Sequence, residues 1–234
     1  MKKTLAFALG ALLLVPALAY AQPAPAPQLT GAKAILKSMS DWLGSQKSLE
    51  LTFDSDIEVI TPQLEKIQFT NSGSMVLARP DRFRGHRVGG YADVELVFDG
   101  KTASVFGKNA NAYAQIEMPG TVDQMIAAMR AGQGVAMPFG DFLLSRPYDV
   151  LVADVLEAKH IGRGVIDGTE CEHLAFRNGE TDWQLWVEVG PKPMPRKIVI
   201  TSKTMAAAPQ YTVRIKTWKT DVTPAAGTFT FVPP

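Results

Sequence analysis

Cysteine is almost missing. Cys171 is the single one in 234 residues, so no intramolecular disulfide can form in any redox compartment and the fold must be held by packing. Histidine is nearly as scarce, with only His86, His160 and His173. Cys171 and His173 alternate along a strand and share a face, but no second pair of ligands lies near them. A zinc site needs three or four, so no metal and no cofactor is expected. A nucleophile pair of Cys171 with His160 has no local motif behind it. The chain also lacks G-x-S-x-G, P-loop and G-x-G-x-x-G patterns, and Gly85 to Gly90 (GHRVGG) follows none of those spacings. Asp54, Asp56 and Glu58 line the polar face of one strand, where acids serve solubility more often than acid/base work. Nothing here calls for an enzyme, and no catalytic residue is expected. Charge of one sign is missing too: 24 basic residues face 23 acidic ones. That balance gives no electrostatic reason to expect nucleic acid or an anionic surface as partner.

Long apolar runs are confined to the start. Lys2 and Lys3, the apolar run Leu5 to Leu18 and the small-residue site Ala19-Tyr20-Ala21 read as a cleavable export signal over residues 1–21, too short for a comfortable membrane span. No cysteine follows the cleavage point, so a soluble periplasmic protein without a lipid anchor is expected. Loss of the two lysines leaves 22 bases against 23 acids. Residues 22–28 (QPAPAPQ) alternate proline and alanine and read as an extended linker. The remainder, 29–234, fits one domain, and no internal repeat is detectable.

Thr30 is a candidate N-cap, and Ala34, Ile35, Leu36, Met39, Trp42 and Leu43 recur at helical spacing up to Gly44. From Leu49 the period drops to two: Leu51, Phe53, Ile57 and Val59 share one strand face, and Glu50, Thr52, Asp54, Asp56 and Glu58 share the other. Strands are then expected at 65–69, 74–78, 83–88, 94–98, 103–106 and 113–116. Arg79-Pro80 stops one of them, because proline cannot donate to a ladder, and Asp99-Gly100 turns another. The spacing predicts an antiparallel meander that can curl toward a barrel.

Residues 118–158 break the alternation. Val122, Met125, Ile126 and Met129 make one apolar helical stripe. Phe139, Phe142, Leu143 and Leu144 form a second apolar piece between Pro138 and Pro147, and Tyr148 to Ala158 reads as helical. The methionines Met118, Met125, Met129 and Met137 suit a surface that adapts to varied apolar shapes, though ordinary core packing explains the same spacing. Strands resume at 161–166, 171–177, 183–189, 196–203, 210–218 and 228–232, with hairpin turns at Asp167-Gly168 and Asn178-Gly179. The aromatic residues Trp183, Trp186, Trp218, Phe53 and Phe69 either line a pocket or fill a core. The pattern is α+β.

Four pieces in this order, Gly73 to Phe83 (GSMVLARPDRF), Asp99 to Thr102 (DGKT), Pro138-Phe139 with Leu143-Leu144, and Phe229 to Pro234 (FTFVPP), resemble the LolA/LolB-like superfamily of periplasmic lipoprotein carriers. The pattern is nearer to the DUF2092 group of LolA-like proteins than to the carrier itself. It departs from the carrier in ending at Pro234 and in carrying Ala103 and Ser104 where the carrier has an aromatic pair. The resemblance implies a curved antiparallel sheet forming a half-barrel, covered by an N-terminal helix and a central helical lid at about 118–158. It also implies a hydrophobic cavity, and the side chains expected to line it and its lid are Trp42, Phe53, Val122, Met125, Ile126, Met129, Phe139, Phe142 and Leu143. Arg79, just before proline, is the implied lid-gating residue, bonding lid-loop carbonyls when the cavity is empty. The implied ligand is a lipid, a lipoprotein acyl chain or another hydrophobic molecule. The implied partners are an envelope lipoprotein or an inner-membrane protein. A related alternative is an RseB-like sensory domain that binds a protein partner.

Overall fold

The computed structural model describes residues 31–132 and 139–234. The expected signal, the linker, Thr30, Met137 and Pro138 lie outside these. Helix α1 (Gly31–Ser45) is followed by β1 (Ser48–Ile60), β2 (Lys66–Ala78), β3 (Arg82–Gly89), β4 (Asp93–Phe98), β5 (Thr102–Gly107) and β6 (Ala112–Glu117). Then come α2 (Val122–Gly132), a 3-10 turn (Gly140–Leu143) and α3 (Pro147–Val152). The chain returns to strands with β7 (Glu157–Ile166), β8 (Thr169–Arg177), β9 (Thr181–Glu188), β10 (Pro195–Ser202) and β11 (Gln210–Thr220). The architecture is α+β, as expected, with few helices against one large open antiparallel sheet.

The eleven described strands form that sheet in the order β6-β5-β4-β3-β2-β1-β11-β10-β9-β8-β7. Every neighbour is a chain neighbour except at the centre, where β1 pairs with β11. Two meanders are therefore joined in the middle, and the chain passes from one outer edge, β6, to the other, β7. Ten strand spacings at about 4.8 Å make roughly 48 Å along the sheet. The chain between β6 and β7 must recross that width, and its described parts, 118–132 and 139–156, bury apolar side chains on one face of the sheet.

That face follows from register. Leu49, Leu51 and Phe53 of β1 stand opposite Leu77, Met75 and Gly73 of β2, and the row continues through Phe83, Phe98 and Ala103. On the other half, Leu174 and Phe176 of β8 meet Leu185 and Trp183 of β9, then Ile198 and Ile200 of β10. These residues, with α1, α2 and the 3-10 turn, form one continuous core cluster.

Four sequence expectations are corrected. The stretches 65–69 and 74–78 form one 13-residue strand. Its polar middle is accommodated because Thr70 and Ser72 point outward and donate to Asp56 Oδ1 and Asp54 Oδ1, both at 2.6 Å. Helix α3 ends at Val152, and Glu157 and Ala158 already pair with Arg177 and Phe176 in the sheet. Pairing of β7 with β8 outweighs the weak helical period there. Residues 228–232 form no strand; the segment lies on the outer face, where Phe231 packs on Phe106 at 6.2 Å and Tyr113 at 5.3 Å. Gly44 does not end α1, which continues to Ser45. A Cβ at Gly44 would collide with the Ser145 carbonyl oxygen, so its absence lets the helix approach the segment after the 3-10 turn.

Candidate functional site

The three covering pieces meet the sheet through the side chains the sequence singled out. On α2, Val122, Met125, Ile126 and Met129 are buried and Gln124, Ala127 and Arg130 exposed, as the stripe dictates. In the 3-10 segment Phe139 stacks on Phe142 at 4.7 Å and tilts against Trp218 of β11 at 6.4 Å. Leu143 is buried beside them, Phe53 lies beneath, and Trp42 of α1 is half-buried against the same cluster. The expected hydrophobic cluster is thus brought together in space.

A vacancy was expected there, and the lid's own side chains take it up. Val122, Met125, Ile126, Met129, Phe139, Phe142 and Leu143 are all 4% exposed or less. Two cavities lined by described residues lie away from this cluster. One of about 560 Å³ is on the outer face under residues 224–231, and one of about 490 Å³ lies between α1 and residues 145–149. At about 2 kcal/mol per apolar side chain, the seven lid residues gain about 14 kcal/mol by burial. An acyl chain of about 15 methylenes gains about 12 kcal/mol on the same scale. The two occupants are matched to within a few kcal/mol.

Arg79, at the turn after β2, is where the covering pieces converge. Its Nε donates to Gln46 O just beyond α1 at 3.1 Å, and its Nη2 donates to Leu144 O at the end of the 3-10 turn at 2.9 Å. Its Nη1 lies 3.8 Å from Asp123 Oδ1 in the first turn of α2. A guanidinium presents several donors in a fixed fork and so reaches three separate elements at once. Burial pulls the Arg79 pKa below its ordinary value, and Asp123 opposes that shift. Asp123 also accepts from the Ser145 N–H at 3.0 Å, and Val122 N–H donates to Pro80 O at 2.8 Å. Gln46, Asp123 and Leu144 carried no sequence signal of this role. Each is an ordinary residue at an element end, and only the tertiary fold brings it to Arg79.

The chemical candidates disperse. Cys171 and His173 share the outer face, where His173 stacks on Trp186 at 4.1 Å and contacts Gln184 Oε1 at 2.9 Å. His160 pairs with Leu174 on the opposite face, away from Cys171, and contacts Glu172 Oε2 at 2.7 Å. Burial pushes the Cys171 thiol up to about 11, with Arg196 opposing, so it is protonated at neutral pH and a poor nucleophile. No group of three or more metal-binding side chains occurs among the described residues. Of the aromatics, Phe53, Trp183 and Trp218 join the core, Phe69 is 37% exposed, and Trp186 lies on the outer face with Lys197 Nζ 4.9 Å from its ring centroid. No helix among the described residues is long and apolar enough to cross a membrane.

A family model described as "Predicted periplasmic protein (DUF2092)" matches residues 32–234. No curated protein matches the sequence significantly. Among solved structures, an uncharacterized conserved protein from Thermus thermophilus is similar, with TM-score 0.51 and 9% identity over 86% of this chain and 94% of that one. The lipoprotein LppX of Mycobacterium tuberculosis gives TM-score 0.48 and 12% identity over 80% and 94%. A LolA superfamily protein of Nitrosomonas europaea gives 0.38 and 12% over 87% and 99%. The first of these supports the fold and says nothing about activity.

Proposed function

We propose, for a chain that belongs to the DUF2092 family of predicted periplasmic proteins, that it binds and carries a hydrophobic ligand, a lipid or lipoprotein acyl chain, without chemistry on it. The site is the sheet face beneath α2 and the 3-10 segment, and the lid packed on that face is the closed arrangement in this reading. The observation that carries this reading is Arg79, one half-buried side chain tying together the ends of all three covering pieces. A core that only had to be stable would gain little from routing its lid through a single ionic junction. A carrier gains a closed state that competes with ligand and so keeps affinity low enough for release.

The test is uptake of a fluorescent fatty acid by delipidated mature protein. Wild type is expected to bind at micromolar concentration. Arg79→Met, which loosens the closed state, is expected to bind at least tenfold more tightly. Wild-type protein that ignores the probe, with an Arg79→Met variant that is folded and equally inert, would remove the proposal.

A further inference from the structure

Beyond the lid, the covered face of the sheet continues into the open. The inward series on β1 runs Leu49, Leu51, Phe53, Ser55, Ile57, Val59, and its partners on β2 run Leu77, Met75, Gly73, Asn71, Phe69, Ile67. The helices cover the first half. Past Phe53 the apolar residues emerge: Val59 is 44% exposed, Ile67 45% and Phe69 37%, and Tyr91 leans edge-on against Phe69 at 4.9 Å.

At the border between the buried and open halves stand two polar side chains facing each other, Ser55 and Asn71, 0% and 2% exposed. Among the described residues the Asn71 amide has no hydrogen-bond partner at either its oxygen or its nitrogen. The Ser55 hydroxyl likewise has no hydrogen-bond partner among the described residues, although it lies near the Tyr211 phenol, which burial pushes up and which Ser55 and Arg87 draw back. A buried amide with nothing to bond destabilises the fold, and an apolar residue would have served packing better. Asn71 is also held against Gly89 of β3, where a Cβ would collide with its Oδ1. Arg87, one inward position along β3 and paired with Gly73, takes part in no ion pair among the described residues. No carboxylate faces inward beside it on β2 or β4, where Gly73 and Val94 are its partners.

We propose that this border is a head-group site for an anionic amphiphile. The half-buried Arg87 donates to a carboxylate or phosphate, the covered Asn71 amide and Ser55 hydroxyl beneath it come into reach as the side chains around them shift, and the acyl tail lies along Ile57, Phe69, Val59 and Ile67. From Ser55 to Ile60 the strand extends about 16 Å at about 3.3 Å per residue, enough for a medium acyl chain. The apolar stretch and Arg87 lie beyond the residues that α2 and the 3-10 segment bury, so the site extends the reading of Arg79 without resting on it.

The test titrates dodecanoate, dodecyl phosphate and uncharged dodecanol, each below its micellar concentration, into mature full-length protein. The expectation is that at least one anion binds tenfold or more tightly than dodecanol. Arg87→Gln should remove that difference while leaving dodecanol binding in place, and Arg87→Lys should retain most of it. Preference for one anion alone identifies the head as phosphate or carboxylate and supports the site. Equal binding of anions and alcohol by wild type, or an anion preference that survives in Arg87→Gln, overturns it, whatever the long-chain probe shows about the lid. If no acyl probe binds at all, this site and the lid reading both fall.

Discussion

Arg79 shows how far a single residue can be understood from its sequence neighbourhood. The Arg-Pro pair places a guanidinium at a strand end, and the LolA resemblance supplies its expected partners as lid carbonyls. One such partner, Leu144 O, is there, but the contacts to Gln46 O and Asp123 come from elements far apart in sequence. Removing the fork leaves two part-buried carbonyls without their donor, at about 1 kcal/mol each. Arg79→Met should therefore lower Tm by several degrees while the sheet keeps its circular dichroism. Cys171 offers a second check at this scale. With its thiol pushed up to about 11 by burial, folded protein should react with a thiol reagent at pH 8 far more slowly than unfolded protein. Fast labelling of the native chain would show that the thiolate is accessible. Asp99 gives the pH dependence. Burial acts to raise its pKa, but the N–H groups of Thr102 and Lys101 and the charge of Arg82 outweigh it, and the net shift is down from 3.8. A depressed carboxylate stabilises fully above its unfolded value and loses that contribution as pH falls through the lower native one. Wild type should lose stability below about pH 4 more steeply than Asp99→Asn, measured by urea unfolding at several pH values.

At the scale of elements, the strongly periodic pieces were legible and the marginal ones were not. The α2 stripe reads correctly because four apolar residues at helical spacing have one way to be buried. Met125→Ala, in the middle of that stripe, should cost about 2 to 5 kcal/mol in chemical denaturation. The end of α3 and the start of β7 are not legible in the sequence, because six residues of weak helix run into a strand whose pairing decides the matter. The closing FTFVPP segment carries a strand-like alternation, but its aromatic ring serves to cover the outer face of β5 and β6. Phe231→Ala is accordingly expected to cost about 1 kcal/mol of stability and to leave fatty-acid uptake unchanged, since the two lie on opposite faces of the sheet. Ser55 was the missed signal for the open half. It interrupts an otherwise apolar series on β1 at the position where the helical cover stops.

For the whole molecule, the decisive fact is topological. The chain leaves the sheet at one edge, β6, and re-enters at the other, β7, so its central segment has no route except across the sheet. Sequence alone showed the meander and the break in alternation, but not that β1 and β11 join in the middle, because that pairing spans most of the chain. Nor did it show that the lid's side chains occupy the hollow themselves. With about 14 kcal/mol of lid burial set against about 12 kcal/mol for an acyl chain, guest and lid are near-equal competitors for one surface. Hydrogen exchange with and without a saturating long-chain fatty acid measures that competition directly. Amides of residues 122–132 and 139–152 should exchange faster when the ligand is bound, while β1, β2, β8 and β9 stay protected. Lid amides that are unchanged or slowed by a ligand shown to be bound would contradict the account.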